Sequence, residues 1–309
     1  MTDVPLRAHP ARRLLQPVIN RLDRRIDRRL RVADRQIEGL RQELRQTREL
    51  LVTQQSRPFS YDLLYGKDGR LSDRMPSRET FKKLSDEIAA VAGRPGAWTE
   101  TAQAFRTLVE VESRGVGRIA GSTVNILGKL TTTPLLGPPN GDILEIGTLY
   151  GLFAGGMVRQ LLRRGLAYRL TIVDPIAPVQ LQPGVEINRD PSGTPITEEI
   201  VRANLALAGV AEDRLRLHRG FSQDEAVREA LSDRRYGVIV IDGDHSREGV
   251  ARDLEWAEQI AATGAVVVLD DFGDARWPGV QEATEAYLAG RTRMKLVGKV
   301  ATSAFLRAG

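Results

Sequence analysis

Two stretches decide the fold of this chain: Val238-Ile239-Val240-Ile241-Asp242-Gly243-Asp244-His245 and Ala265-Val266-Val267-Val268-Leu269-Asp270-Asp271. Each is a short run of apolar, mostly β-branched residues that ends in aspartates. A run that is polar on neither face is typical of a strand buried on both faces, in a parallel sheet covered by helices. The segment Ser246–Gly264 between them has room for one crossover helix. We therefore predict two parallel strands of an α/β fold.

Three carboxylates follow these two strands. Parallel strands joined by one helix end at the same edge of the sheet, which places Asp242, Asp270 and Asp271 together. Adjacent strands lie about 4.8 Å apart, so these carboxylates repel one another unless a cation lies between them. Magnesium prefers such oxygen ligands, and this edge is where open α/β sheets bind their ligands. A simple turn cap is the alternative explanation for the Asp270–Asp271 pair.

A glycine-bearing turn marks a second part of the predicted site. Asp142–Gly147 is predicted to be a strand, and Thr148–Gly151 a turn that leads into a helix. Glycines let a ligand approach the backbone, and a helix N-terminus offers free N–H groups. The next predicted strand, Tyr168–Val173, ends in Asp174, which is placed to accept hydrogen bonds from ribose hydroxyls. The alternative for Asp174 is a cap or turn residue.

The remaining strands complete the predicted sheet. Arg214–Leu217 is the third strand, while Met294–Lys299 and Thr302–Arg307 are too close together for a helix between them. Such spacing indicates an antiparallel hairpin at the edge of the sheet. The predicted fold class is α/β, with a doubly wound, mostly parallel, seven-stranded sheet and a helical N-terminal extension.

Four features together resemble the class I S-adenosylmethionine-dependent methyltransferases: Glu145-Ile-Gly-Thr-Leu-Tyr-Gly151, Asp174, Gly220-Phe-Ser-Gln-Asp224 and the two strands tipped with aspartate. Within that class, the chain is similar to metal-dependent O-methyltransferases of the catechol, caffeoyl-CoA and macrolide-sugar types. The Ser-Gln-Asp segment is close to the catechol type, whereas Asp-Gly-Asp-His and Asp-Asp are nearer to the sugar-modifying branch. The resemblance covers about residues 141–307.

The resemblance implies sites for S-adenosylmethionine and for Mg²⁺. The cofactor-binding residues that it implies are Glu145, Gly147, Tyr150 and Gly151 near the methionine end, Asp174 at the ribose, and Ser222 and Gln223 at the adenine. The implied metal ligands are Asp242, Asp270 and Asp271. Asp242 and His245 are the candidate catalytic residues; His245 lies three residues after Asp242, where catechol-type enzymes carry a lysine base. The assignment of the base therefore stays open, and a plain position at a helix start is the alternative for His245.

The chemistry fits these residue types. A metal ion lowers the pKa of a hydroxyl that binds it, and an imidazole is suited to removing a proton near neutral pH. We therefore predict a magnesium-dependent O-methyltransferase acting on a sugar-like or glycan-like diol or a small natural product. A catechol or other phenolic acceptor is one alternative. The other is a coiled-coil scaffold with a non-catalytic nucleotide-binding domain.

The basic charge of the protein is concentrated near its N-terminus. Residues 1–55 carry 13 arginines against 7 acidic residues, whereas the rest of the chain has a net charge of −1. Apolar or small residues recur there at steps of four and three, which predicts a coiled coil and a homo-oligomer; they are Leu15, Ile19, Leu22, Ile26, Leu30, Ala33, Ile37, Leu40, Leu44 and Leu51. A helix lying on an anionic membrane surface is an open alternative. Nucleic acid is disfavoured as a partner because the segment has no aromatic residue for base stacking.

Composition excludes several other classes. The chain has no cysteine, hence no disulfide, no thiolate zinc site and no cysteine nucleophile. It has neither an apolar run near the ~20 residues of a membrane span nor an apolar signal core, so a cytoplasmic protein is expected. We predict three parts: a basic coiled-coil helix at 1–57, a helical linker and possible substrate lid at 58–135, and a methyltransferase domain at 136–309.

Overall fold

The computed structural model describes residues 10–55, 74–178, 181–182, 190 and 193–309. These residues belong to two compact units, the first up to residue 59 and the second from residue 60 onward. The predicted linker therefore lies partly outside the described residues, up to residue 73. No helix in the described ranges is both long enough and apolar enough to cross a membrane. The cytoplasmic location stays a prediction.

The first unit is described as one helix, α1, over Pro10–Gln55. Its apolar residues form an exposed stripe on this single chain, with exposed fractions of 47–70% at Leu22, Ile26, Leu30, Val32, Ile37, Leu40 and Leu44. The alternating steps of four and three place most of these side chains along one face of the helix. The coiled coil that this spacing predicts stays a prediction.

We expect the double variant Ile26→Gln and Leu30→Gln to weaken self-association on the order of 100-fold, because burying each of these side chains in a partner helix contributes about 1.5–3 kcal/mol. Glutamine is a good helix former, so the helix itself should persist. Light scattering over a concentration series measures the change. The control is Arg28→Gln with Arg35→Gln, on the opposite face of α1. A wild-type protein that is monomeric throughout the series contradicts the coiled coil.

The second unit contains one seven-stranded sheet with the order β3-β2-β1-β4-β5-β7-β6. Its strands are β1 Gly141–Ile146, β2 Tyr168–Asp174, β3 Leu215–Arg219, β4 Tyr236–Ile241, β5 Ala261–Leu269, β6 Met294–Val300 and β7 Ser303–Ala308. The first five strands are parallel, and β7 runs antiparallel to both β5 and β6. The predicted fold class and the terminal hairpin are confirmed.

Among the described residues of the second unit, eight α-helices surround the sheet: α2 Arg78–Ala92, α3 Trp98–Arg114, α4 Thr123–Leu135, α5 Leu152–Arg163, α6 Glu198–Leu207, α7 Glu225–Leu231, α8 Arg247–Ile260 and α9 Pro278–Ala289. Val238 and Val240 of β4 belong to a core shared with α2–α6, whereas Ile239 and Ile241 belong to a second core with α7–α9. Successive side chains of a strand point to opposite faces, so both faces of β4 are covered. This burial explains why the strand is apolar throughout.

Two details of the second unit bear on the site. The third strand begins at Leu215 and extends to Arg219, because a 3₁₀ turn over Glu212–Arg214 takes up the first residue of the predicted strand. Helix α4 buries 12 of its 13 residues. Its N-cap is Ser122, whose hydroxyl accepts a hydrogen bond from Asn125 N at 3.3 Å. A helix from the predicted linker therefore belongs to the core of this unit.

Candidate active site

A cavity of about 780 Å³ opens at the carboxyl edge of the sheet. Its volume is in the usual range for small-molecule sites. It lies where the strand order reverses between β1 and β4, the place where doubly wound sheets bind ligands. Nine of the eleven predicted site residues line it: Glu145, Gly147, Asp174, Ser222, Gln223, Asp242, His245, Asp270 and Asp271. The structure thus brings together side chains from the ends of all five parallel strands.

The turn after β1 is pressed against the end of β4. Gly147 has a φ of +84°, and a Cβ at this position would lie 2.2 Å from the carbonyl oxygen of Asp242. Gly147 N donates to Val173 O of β2 at 2.9 Å, while Asp242 N donates to Ile146 O at 2.9 Å. Only glycine fits this crossing, because both the conformation and the close approach exclude a side chain. The turn leaves bare backbone facing the cavity.

Asp174 braces the same turn from β2. Its Oδ2 accepts hydrogen bonds from Thr148 N at 2.7 Å and Leu149 N at 3.3 Å, and its Oδ1 accepts one from Ile176 N at 2.6 Å. These three bonds show that Asp174 stabilises the turn, which is the alternative role that the sequence left open for it. Oδ1 has a second lone pair, and Asp174 lines the cavity, so the predicted contact with ribose stays a prediction.

Backbone strain is concentrated around the cavity. Of the four described residues other than glycine with positive φ, three follow strands at this edge: Leu149 at +54°, Ile176 at +48° and Asp271 at +54°. The fourth, Ala301, lies in the hairpin between β6 and β7. Each such residue costs about 1–3 kcal/mol, and strain of this kind persists where surrounding structure enforces it, often at functional sites. The strained residues therefore indicate a functional site at the carboxyl edge of the sheet.

Glu145 is a buried carboxyl at the inner end of the cavity. Its burial raises its pKa to about 8; the hydrogen bond from Thr148 Oγ1 opposes this rise, and the charge of Asp242 adds to it. A carboxyl with this pKa carries its proton at neutral pH in the cofactor-free protein.

We expect Glu145→Gln to be more stable than the wild type at pH 8.5 and close to it at pH 4.5. The folded-state pKa of Glu145 is raised, so the stability that its proton provides is fully present below the ordinary glutamate pKa of 4.5 and is lost as pH rises to about 8. The full difference is of the order of a few kcal/mol. Guanidinium unfolding at both pH values measures it, with the exposed Glu282→Gln as control. If the difference in unfolding free energy between the two proteins does not change with pH, the pKa of Glu145 is not raised.

Tyr150 and Gly151 are not among the residues that line the cavity in the described part of the chain. The Tyr150 ring is buried, and a Cβ on Gly117 would lie 2.2 Å from it. The Tyr150 hydroxyl donates to Thr194 O at 3.0 Å. Packing therefore accounts for the position of Tyr150, and contacts of these two residues with the cofactor stay predictions.

His245 is a mostly buried side chain at the end of β4. Its Nε2 lies 3.5 Å from Asp242 Oδ1 and 3.7 Å from Asp271 Oδ2, and its ring centroid is 5.0 Å from that of Trp277. Burial lowers the pKa of His245, but the contact with Asp242 and the charges of Asp242 and Asp271 outweigh it, so the pKa is raised. Among the described residues, neither ring nitrogen has a partner within hydrogen-bond geometry. The two neighbouring carboxylates thus favour the protonated form of the imidazole.

Lys129, which lies on α4, was not predicted from the sequence to belong to the site. Its ammonium donates to Asp270 Oδ2 and to Asp242 Oδ2, the latter at 3.3 Å, and its side chain is 1% exposed. Burial lowers the pKa of Lys129, but the two carboxylates more than compensate and raise it. The signal that could have found it is in the sequence: Lys129 is the one charged residue in Thr-Val-Asn-Ile-Leu-Gly-Lys-Leu-Thr-Thr-Thr-Pro-Leu. A lone charge in an otherwise uncharged, buried helix must have a partner.

The aspartates do not fit a divalent metal ion in this arrangement. Lys129 occupies the position between Asp242 and Asp270, and Asn125 Nδ2 donates to Asp270 Oδ1 at 2.7 Å. Over the described ranges, no group of three or more His, Asp or Glu side chains is arranged to hold a metal ion. The three predicted ligands lie together as expected, but a side chain supplies the cation. The predicted magnesium ion is therefore not supported by the geometry.

Comparison with known proteins matches part of the chain to one family model. Residues 144–272, which are 129 of the 309 residues, match the family model described as a methyltransferase domain. This match agrees with the class I S-adenosylmethionine-dependent methyltransferase that the resemblance implied. No curated protein matches the chain.

Several solved structures are similar to this chain. The O-methyltransferase NovP is 17% identical, with 74% of this chain and 99% of that chain covered and a TM-score of 0.47. The O-methyltransferase TomG from Streptomyces achromogenes is 18% identical, with 77% of this chain and 93% of that chain covered and a TM-score of 0.42. The calicheamicin methyltransferase CalS11 is 18% identical, with 75% of this chain and 94% of that chain covered and a TM-score of 0.46. At these TM-scores, the likenesses add nothing to the argument from the family model and the site.

Proposed function

We propose that this protein transfers a methyl group from S-adenosylmethionine to a hydroxyl oxygen of a small acceptor, with a sugar-type or glycan-type hydroxyl as the first candidate. The observation that carries the proposal is one cavity that joins the glycine turn after β1 to His245 after β4. Cofactor and acceptor can therefore lie side by side, next to the buried imidazole of His245.

The residues present fit the cofactor. Bare backbone at Gly147 lines the cavity, and Asp174 and Asp242 make that end of the cavity acidic, which suits a positively charged ligand. Ser222 and Gln223 line the cavity at the end of β3, where they can contact the adenine. When bound, S-adenosylmethionine supplies a methyl group on a positively charged sulfur.

The acceptor hydroxyl needs a base, since a free alcohol is a poor nucleophile at neutral pH. His245 takes the proton of that hydroxyl, and Asp242 and Asp271 stabilise the imidazolium that results. Much of the rate acceleration in such a site comes from holding the two reactants together in one cavity.

The acceptor end of the cavity is lined by Trp277, Arg276 and Leu181 as well as His245. An aromatic ring beside polar side chains offers a sugar both an apolar face and hydrogen-bonding groups. The same ring would stack on a catechol, which keeps the phenolic acceptor as the alternative substrate. Magnesium dependence, predicted from the sequence, is left out of this proposal because Lys129 fills the place between the aspartates.

Calorimetric titration with S-adenosylmethionine, followed by methyl-transfer assays on a panel of sugars, nucleotide-linked sugars, glycans and catechols, tests the proposal. We expect saturable cofactor binding and transfer to a sugar-type hydroxyl. Transfer to catechols alone would favour the phenolic alternative. Binding without transfer to any acceptor would favour the non-catalytic scaffold, and the absence of cofactor binding would overturn the proposal.

A further inference from the structure

We propose that the ammonium group of Lys129 is the resident cation of this active site, in the place that a divalent metal ion would take between Asp242 and Asp270. Lys129 is then a positioning residue, which holds the two carboxylates beside the acceptor without being among the residues that line the cavity. The catalytic consequence rests on the proposed methyl transfer; the identity of the cation does not.

The ammonium group is enclosed on three sides. It donates to Asp270 Oδ2 and to Asp242 Oδ2, and it lies 4.7 Å from the centroid of the Phe153 ring. An aromatic face attracts a cation, so the three ammonium protons meet two carboxylates and one ring. Phe153 itself lines the cavity. The lysine thus supplies positive charge just behind the wall of the site.

Asp270 has protein donors on both of its oxygens. Lys129 binds Oδ2, while Oδ1 accepts from Asn125 Nδ2 at 2.7 Å and lies 3.0 Å from Ser303 Oγ. Ser303 Oγ also lies 2.7 Å from Asn125 Oδ1, which fixes the orientation of that amide. Only Oδ2 keeps a free lone pair, and a metal ion bound there would lie next to the positive charge of the Lys129 ammonium.

A single helix provides both main donors. Asn125 and Lys129 are four residues apart on α4, so they project from the same face of the helix. The Lys129 side chain is 1% exposed, so the ammonium is buried in this arrangement. A metal ion that displaced the ammonium would strand a positive charge in the interior, which is strongly unfavourable.

The consequence for the reaction concerns the acceptor. A metal ion at the aspartates would select acceptors that offer two adjacent oxygens. With an ammonium enclosed behind the carboxylates, the acceptor oxygen meets His245, and one hydroxyl group is sufficient. We therefore expect a monohydroxy analogue of the acceptor to be methylated as well as the diol.

The test begins with the wild-type full-length protein and Mn²⁺, whose paramagnetic resonance signal distinguishes free from bound ion. We expect no saturable binding at millimolar Mn²⁺, no change in Tm with Mg²⁺ or Mn²⁺, and methyl transfer that is unchanged by EDTA. Stoichiometric Mn²⁺ binding that is lost in Asp270→Asn would overturn the proposal, whether or not any transfer is observed. Absence of both Mn²⁺ binding and transfer would instead overturn the proposed function and leave the cation assignment standing.

Lys129→Met provides the second arm. Removal of the Lys129 ammonium should misplace the two carboxylates and lower kcat on the order of 100-fold. The same variant should bind Mn²⁺ between the carboxylates, and its Tm should rise when the ion is added. The exposed Lys82→Met, which loses an ion pair with Asp86, is the matched control and should gain neither property. Full activity of a folded Lys129→Met protein in EDTA would overturn the proposal. If Lys129→Met alone does not fold, Lys129→Met with Asp270→Asn removes the buried pair together and should fold without binding Mn²⁺.

Discussion

His245→Gln is expected to lower kcat for methyl transfer by about 10²- to 10⁴-fold, the usual contribution of a general base. The glutamine amide can occupy the space of the ring beside Trp277, but it cannot accept the proton of the acceptor hydroxyl. The affinity for S-adenosylmethionine should stay close to that of the wild type, since His245 acts on the acceptor. Steady-state kinetics together with calorimetric cofactor titration separate the two effects.

His218→Gln is the matched control, because His218 lies on β3 and is not among the residues that line the cavity. Its kcat should match that of the wild type. Equal loss in both variants would point to a general effect on folding. An unchanged kcat in His245→Gln would remove the imidazole from the mechanism and leave Asp271 as the nearest remaining base.

Gly147→Ala is expected to abolish cofactor binding and to destabilise the protein by about 2–3 kcal/mol or more. The alanine must adopt a φ of +84° and place its Cβ 2.2 Å from the carbonyl oxygen of Asp242. That oxygen belongs to the backbone at the end of β4, so relief of the clash would push apart the two strands that shape the cavity. Thermal unfolding and calorimetric titration with S-adenosylmethionine measure the two losses.

Gly165→Ala is the control that distinguishes the cost of a positive φ from the cost of a steric clash. Gly165 has a φ of +74°, but no described heavy atom lies within 4 Å of the position of its Cβ, apart from its own chain neighbours. This variant should show a small loss of stability and normal cofactor binding. If Gly147→Ala behaves like Gly165→Ala, the close approach of the two strands does not shape the site.

The sheet could be predicted because its signals are local. The alternation of Val238 and Val240 with Ile239 and Ile241 between two cores leaves every position of β4 apolar, and a pattern of this kind is visible in five residues. The proximity of the three aspartates could be predicted from the parallel topology alone, since parallel strands end at a common edge. The hairpin over β6 and β7 followed from spacing.

The site chemistry could be predicted only in part, because its decisive contacts are distant in sequence. Lys129 and Asp270 are 141 residues apart, and Asn125 and Asp270 are 145 apart. No local pattern connects such positions, although the lone charge in α4 indicated that a partner must exist. Tyr150 was predicted to be a cofactor-binding residue, but it is not among the described residues that line the cavity. It stands next to the glycine turn in sequence, but its ring packs against Gly117 on the buried side.

The position of Lys129 on α4 has a consequence for how this protein could be shortened or recombined. The stretch that matches the family model begins at residue 144, after α4 has ended at Leu135. A fragment cut at that boundary would retain all three aspartates and lose their counter-charge. Likewise, grafting this domain onto another protein, or replacing α4 with a helix that lacks the lysine, would transfer an incomplete catalytic unit. Any piece of this protein that keeps Asp242 and Asp270 paired with Lys129 therefore starts upstream of α4.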